Sequence, residues 1–174
     1  MERVWKYDGS KRPPFAADAG PGQESVWDYS RPPRLEADSR RVIVRHGGVV
    51  IADTVRSIRV LETASPPTFY LPPDAVDRAL LDRAEGSSFC EWKGAATYWS
   101  VVADGEVLPR VGWSYGDPFP EFEEITDYLS FYPARLDCSV DGVRVKPQPG
   151  GFYGGWITPE ITGPFKGEGD SGWW

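Results

Sequence analysis

Apolar and polar residues along the middle of this chain alternate far more often than they follow helical spacing. RVIVRHGGVVIAD (41–53) is two β-rich runs around Gly47–Gly48, the sequence form of a hairpin. VRSIRVLE (55–62) reads as a further strand, and TFYLPP (68–73) as a short one stopped by prolines. AATYWSVVADGEVLPRVGWSY (95–115) turns at Asp104–Gly105, and RLDCSVDGVRV (135–145) turns at Asp141–Gly142. EFEEITDYLSFYP (121–133) fits two templates: Phe122, Ile125, Leu129 and Tyr132 have helical spacing, while 128–131 also suits a strand. The clearest helical pattern is PDAVDRALLDRAEG (73–86). Val76, Ala79, Leu80 and Ala84 share a face, Asp74 sits in the first turn, and Gly86 can close the end. The pattern predicts a mainly β chain, α+β by strict count. Its form is a single compact bent antiparallel sheet or open barrel of about seven strands, with one helix over 73–85.

The two ends lack such periodicity. Residues 1–36 are rich in Pro, Gly and charge and carry isolated aromatics, which predicts an N-terminal arm partly packed on a body. Residues 37–145 then form the β domain. Residues 146–174 hold eight Gly and six aromatic residues, the composition of an extended C-terminal arm packing on the body.

Composition narrows the functional classes. The 174 residues carry a net charge of −7, which disfavours a phosphate backbone as partner. No segment approaches the roughly 20 apolar residues of a membrane span. MERVWKYDGSKRPPF lacks the apolar run of a signal peptide, so the expectation is a cytoplasmic protein with reduced thiols. Two Cys (Cys90, Cys138) and one His (His46) are too few for a Cys/His metal site, and no metal ligands are assigned. No cofactor is legible.

The Asp104–Gly105 turn predicts a register in which paired residue numbers sum to 209. Tyr98 then faces Val111, Ala96 faces Trp113 and Gly94 faces Tyr115, all on one side of the sheet. On the other side Trp99 falls opposite Arg110, a cation–π pair. Small residues opposite large aromatics make either a pocket or plain core packing. The pocket reading gives Tyr70, Tyr98, Trp113 and Tyr115 as ligand-binding residues, with Lys93 at the rim. Cys90 and Lys93, three residues apart, lie on opposite faces of an ideal strand and meet only if CEWKG turns. Glu62, at the end of its strand, is either an acid/base group and partner for Lys93 or a solvated edge residue. Cys138 belongs to the core, and His46 to a turn.

The segments VVIADT (49–54), RVLET (59–63), FYLP (69–72), FCEWKGAATYW (89–99), GWSYGDP (112–118) and DYLSFYP (127–133) together resemble the bacterial domain-of-unknown-function family number 427. The resemblance covers roughly residues 26–145 and implies a compact, mostly β domain. Glu62, Tyr70, Pro72, Cys90, Lys93, Gly94, Tyr98, Trp113, Tyr115, Pro118, Phe131 and Tyr132 carry it. One departure is Glu91, where similar members usually have Pro after the Cys. The family also bears a nucleotidyltransferase-like label, but GSSFC (86–90) has no acidic pair beside it to hold Mg²⁺.

The expected function is binding of an unidentified small molecule in an aromatic pocket, with Lys93, Glu62 and Cys90 as the catalytic candidates. A non-catalytic interaction module using the aromatic arms and a nucleotidyltransferase-like activity are the alternatives. The expected assembly is a monomer or homodimer without nucleic-acid or membrane partners.

Overall fold

The computed structural model describes residues 4–174. The early strands are β1 (Glu24–Ser25), β2 (Arg34–Asp38), β3 (Val42–His46), β4 (Val49–Thr54), β5 (Ser57–Leu61) and β6 (Thr68–Tyr70). The central ones are β7 (Leu81–Cys90), β8 (Gly94–Ala103), β9 (Glu106–Ser114) and β10 (Leu129–Phe131). The late ones are β11 (Asp137–Val140), β12 (Val143–Arg144), β13 (Lys146–Pro147), β14 (Trp156–Ile157) and β15 (Ile161–Thr162).

The chain is mainly β, and its strands form several sheets where the pattern predicted one sheet or an open barrel; none closes. Two sheets have four strands, in the orders β10-β9-β8-β7 and β12-β11-β3-β4; a third runs β2-β5-β6. All three are antiparallel. Paired backbone bonds between Leu71 and Leu129 (2.8 and 2.9 Å) tie the end of β6 to β10. Many of the fifteen strands are two-residue pieces, too short to leave an alternating pattern, which is why about seven were expected.

The predicted helix over 73–85 is instead two 3-10 turns, Pro73–Ala75 and Arg78–Leu80, followed by β7. Asp77 is extended and its carboxylate accepts from the Ala79 N–H, which restarts the turn and breaks the helical ladder. From Leu81 the backbone is captured by β8, with Leu81 opposite Val101. The ambiguous segment divides between both templates, a 3-10 stretch Pro120–Ile125 and then strand β10.

The β8–β9 turn is tight, with Asp104 at φ 52 and Gly105 at φ 75. The predicted register holds from Ala103↔Glu106 to Val101↔Leu108 and then shifts by two residues. Beyond the shift Tyr98 faces Trp113 and Trp99 faces Gly112. The bulge sits at Arg110, whose φ is 51 and whose N–H donates to Ser100 Oγ at 3.1 Å. A shift of two preserves the faces, so Ala96, Tyr98, Trp113 and Tyr115 still share one cluster while Trp99 packs on the opposite one. The Trp99–Arg110 pair does not form: the Arg110 guanidinium lies 4.2 Å from the Tyr98 ring centre, and the Trp99 indole donates to Ser114 Oγ at 2.9 Å.

The ends pack on this body. Trp156 is fully buried, stacks on Phe69 at 4.9 Å and donates to the Phe131 carbonyl at 3.0 Å. β1 pairs in parallel with β15, so both ends of the chain share a small sheet. Trp27, Tyr29, Leu61 and Ile161 form a separate cluster beneath it. No helix among the described residues is long and apolar enough to cross a membrane. Trp156→Ala is expected to cost about 3–5 kcal/mol, the range for a large aromatic deleted from a core. Urea unfolding measures it; a change near zero would mean that the C-terminal segment is not part of the core.

Candidate functional site

FCEWKGAATYW spans the end of β7, a turn and the start of β8. Cys90 pairs with Gly94 across the hairpin end, leaving Glu91, Trp92 and Lys93 as the connection. Gly94 has φ 100, which a residue with a side chain adopts only under strain, and its open face lies against the Asp117 and Phe119 backbone. The Phe119 N–H donates to the Lys93 carbonyl at 3.2 Å and holds the turn down. Because the chain turns here, Cys90 and Lys93 both line the same cavity.

This turn forms one wall of a cavity of about 540 Å³. Glu62, Tyr70, Cys90, Lys93, Tyr98, Trp113 and Tyr115 all line it. Tyr70 comes from β6, Tyr98 from β8 and Trp113 from β9, so strands of two different sheets aim aromatic side chains into one space. The Trp113 indole donates to the Tyr70 hydroxyl at 3.2 Å, and Tyr132 packs on the same indole at 4.6 Å. Tyr98 shares a 2.8 Å hydrogen bond with Ser88. The Lys93 ammonium lies 5.7 Å from the Tyr115 ring centre. Glu62 follows β5 and is ion-paired at 3.8 Å with Arg31, whose side chain is buried. His46 does not line the cavity: it pairs with Glu106 at 3.4 Å. Cys138 is buried in the main core.

The charges are set by the surroundings. Burial works against the Lys93 ammonium, but the charges of Tyr70, Cys90 and Glu62 in their ionised forms outweigh it, and its pKa is raised. Burial raises the pKa of Tyr70 even though Lys93 and the Trp113 bond pull it down. Burial also raises Tyr115, with Tyr70 adding to the effect. Tyr132 is pushed up to about 12 by burial and then by Tyr98. At neutral pH the wall therefore holds one ammonium and several neutral phenols that can donate hydrogen bonds.

Residues 34–142 match the family model described as a domain of unknown function, DUF427. The chain belongs to this family. A comparison with the curated proteins finds no match. The DUF427 region contains Glu62, Tyr70, Cys90, Lys93, Tyr98, Trp113 and Tyr115. Among the described residues no three His, Cys, Asp or Glu side chains gather to hold a metal ion, so the nucleotidyltransferase-like alternative gains no carboxylate set here.

Outside the DUF427 match, Trp5, Gln148, Phe152, Tyr153 and Lys166 also line the cavity. None was expected at the site. GGFYGG (150–155), an aromatic pair between glycine pairs, was the only local signal, and it had suggested an arm on a surface. Trp5 and Lys166 lie far from the site in sequence and carry no motif.

Lys93, Tyr70, Tyr115 and Tyr132 all keep their protons longer in the folded state than in the unfolded chain, where lysine titrates near 10.5 and tyrosine near 10.0. Their contribution to stability is full below those values and is lost as pH rises through the higher folded ones. Each such group adds a slope of about 1.4 kcal/mol per pH unit in that window. Urea unfolding from pH 7 to 11 is expected to show level stability to about pH 9 and a steep fall beyond about pH 10. A fall beginning near pH 8 would contradict the protonated wall.

Proposed function

We propose that this domain binds a small organic acid with a planar apolar body in the cavity. The observation that carries the reading is the placement of the Lys93 ammonium in the aromatic wall, 5.7 Å from the Tyr115 ring centre. Tyr70, Trp113 and Tyr115 suit a flat body, and about 540 Å³ is the size of a small-molecule site. Ring faces exclude water, which strengthens the attraction between an ammonium and an acid group. The net charge of −7 means that the protein's overall field does not draw anions, so recognition rests on this local cation.

If the domain acts chemically on that acid, Lys93 serves as the group that stabilises charge developing on oxygen. Glu62 is the nearby carboxylate for moving a proton, and Cys90 lines the cavity beside Lys93.

NMR titration of the Trp113 indole N–H tests the reading, with benzoate and benzylamine as probes. Benzoate is expected to shift the signal with a Kd of about 1 mM, a reasonable affinity for so small a probe, and benzylamine to leave it still. Lys93→Met is expected to weaken benzoate at least tenfold while keeping the melting temperature within a few degrees. Equal binding to wild type and variant, or a preference for benzylamine, would reject the proposal.

A further inference from the structure

The cavity has an outer wall that the DUF427 region does not supply. The C-terminal segment brings Gln148, Phe152, Tyr153 and Gly154 to it. Gly154 lies so close to Trp113 that a Cβ there would overlap the Cη2, Cζ2 and Cζ3 atoms of the indole. The next residue is packed as tightly: a Cβ on Gly155 would meet Gln148 Oε1 and both the ring and the carbonyl of Pro66. Two adjacent residues without side chains therefore thread the chain past Trp113 and Pro66, both of which line the cavity.

The segment is latched on either side of this passage. Gln148 is only 5% exposed. Its main-chain N–H donates to the Gly155 carbonyl at 3.1 Å, and its Oε1 accepts from the Gly155 N–H at 3.0 Å. Its Nε2 donates to the Lys166 carbonyl at 2.8 Å. On the other side the Trp156 N–H donates to the Pro67 carbonyl at 2.8 Å, and the Trp156 side chain is sunk in the main core. These bonds hold the backbone of 154–155 beside β6, the strand that carries Tyr70.

Trp113 is the side chain that this passage holds. Its indole N–H donates to the Tyr70 hydroxyl at 3.2 Å, Tyr132 packs on it at 4.6 Å, and Gly154 closes off its outer ring edge. The first two contacts lie inside the DUF427 region and the third lies outside it. A wall ring that cannot swing has little freedom left to lose when a flat ligand packs on it. We propose that the C-terminal segment completes the binding site, with Gly154 as the positioning residue that fixes Trp113. Seating of the segment and occupation of the cavity then favour each other, because coupling between two events is reciprocal. This rests on the reading of the cavity as a binding site and adds the segment on which that site depends.

The test uses NMR of the full chain with two variants. Gly154 is not among the glycines with positive φ, so Gly154→Ala probes the contact with the ring alone. Gly151→Asn is the control, since Gly151 has φ 70 and open space around it, and asparagine tolerates that φ. Without ligand, Gly154→Ala is expected to shift the Trp113 indole N–H signal and speed its hydrogen exchange at least tenfold, while Gly151→Asn changes neither. Saturating benzoate is expected to slow exchange of the Gly155 N–H at least threefold in the wild type, and to bind Gly154→Ala at least tenfold more weakly. If Gly154→Ala melts too early for NMR, the same change in a Trp113→Phe background, which lacks the outer ring atoms, is expected to regain at least half of the lost melting temperature. An indole unmoved by Gly154→Ala would overturn the proposal. So would a moved indole with benzoate bound as tightly as before, or a Trp113→Phe background that regains nothing. If the wild type binds no benzoate, the small-acid reading falls, and the ligand-free indole signals alone decide whether Gly154 positions Trp113.

Discussion

A guanidinium buried as deeply as that of Arg31 needs acceptors for its N–H groups, and its two terminal nitrogens find them at both ends of the chain. Its Nη1 donates to the Tyr7 carbonyl at 2.9 Å, and its Nη2 to the Thr63 and Trp174 carbonyls at 3.1 and 2.9 Å. The same nitrogen pairs with Glu62, and the guanidinium lies 4.1 Å from the Trp5 ring centre. Losing such partners would leave a charge stranded away from water, which is far costlier than never having buried it. The N-terminal segment, the strand end after β5 and the last residue are thus held at one point. Arg59 repeats the device nearby, buried against Glu24, Glu36 and Asp38, while Arg40 joins Asp38 to Glu160. The planar fork of arginine suits this role because it can serve several acceptors at once.

The cavity follows from that arrangement. Strands β6, β8 and β9 supply an aromatic surface that would face water if the domain ended at its last hairpin. The clamped ends lie across it without filling it. Trp156 anchors the C-terminal segment in the main core, and the glycine pairs beside Phe152 and Tyr153 let the backbone pass over Trp113. Arg31 also holds Glu62, so the electrostatics around Lys93 depend partly on the clamp. Floor and roof have different origins in the sequence but are mechanically one object.

Much of the inner wall was legible because β structure follows local rules. Asp104–Gly105 and Asp141–Gly142 are turns by chemistry, and period-two alternation assigns faces without knowledge of partners. That logic placed Tyr98, Trp113 and Tyr115 together even though the register moved at Arg110, since a two-residue shift preserves the face. It failed where tertiary contacts overrode local preference. Residues 73–86 have a helical pattern, yet the strand edge on β8 paired with Leu81–Arg83 and again with Ser87–Cys90, and the short Asp77 cap was too weak a start to resist it. The outer wall was illegible for a different reason. Lys166 and Trp5 meet only because the ends are folded back by buried ion pairs, and no spacing rule links positions so far apart.

FCEWKGAATYW shows how one turn changes a chemical reading. On a continuous strand Cys90 and Lys93 would point apart and be unrelated. In the hairpin they line one cavity, and the question becomes which of them the other influences. An ammonium beside a thiol can favour a thiolate nucleophile, but the same contact also holds the amine in its charged form. The surroundings favour the second role for the pair. Tyr115 presents its ring face 5.7 Å from the ammonium, and Glu62 adds a negative charge that favours the protonated amine. Together they favour the charged form of Lys93 in the wall of an aromatic-lined space. A fixed cation is poor at attacking a carbonyl carbon and good at holding an oxyanion. Gly94 makes the placement possible: only a residue free to adopt its φ of 100 lets the chain reverse tightly enough to bring Lys93 back over the sheet.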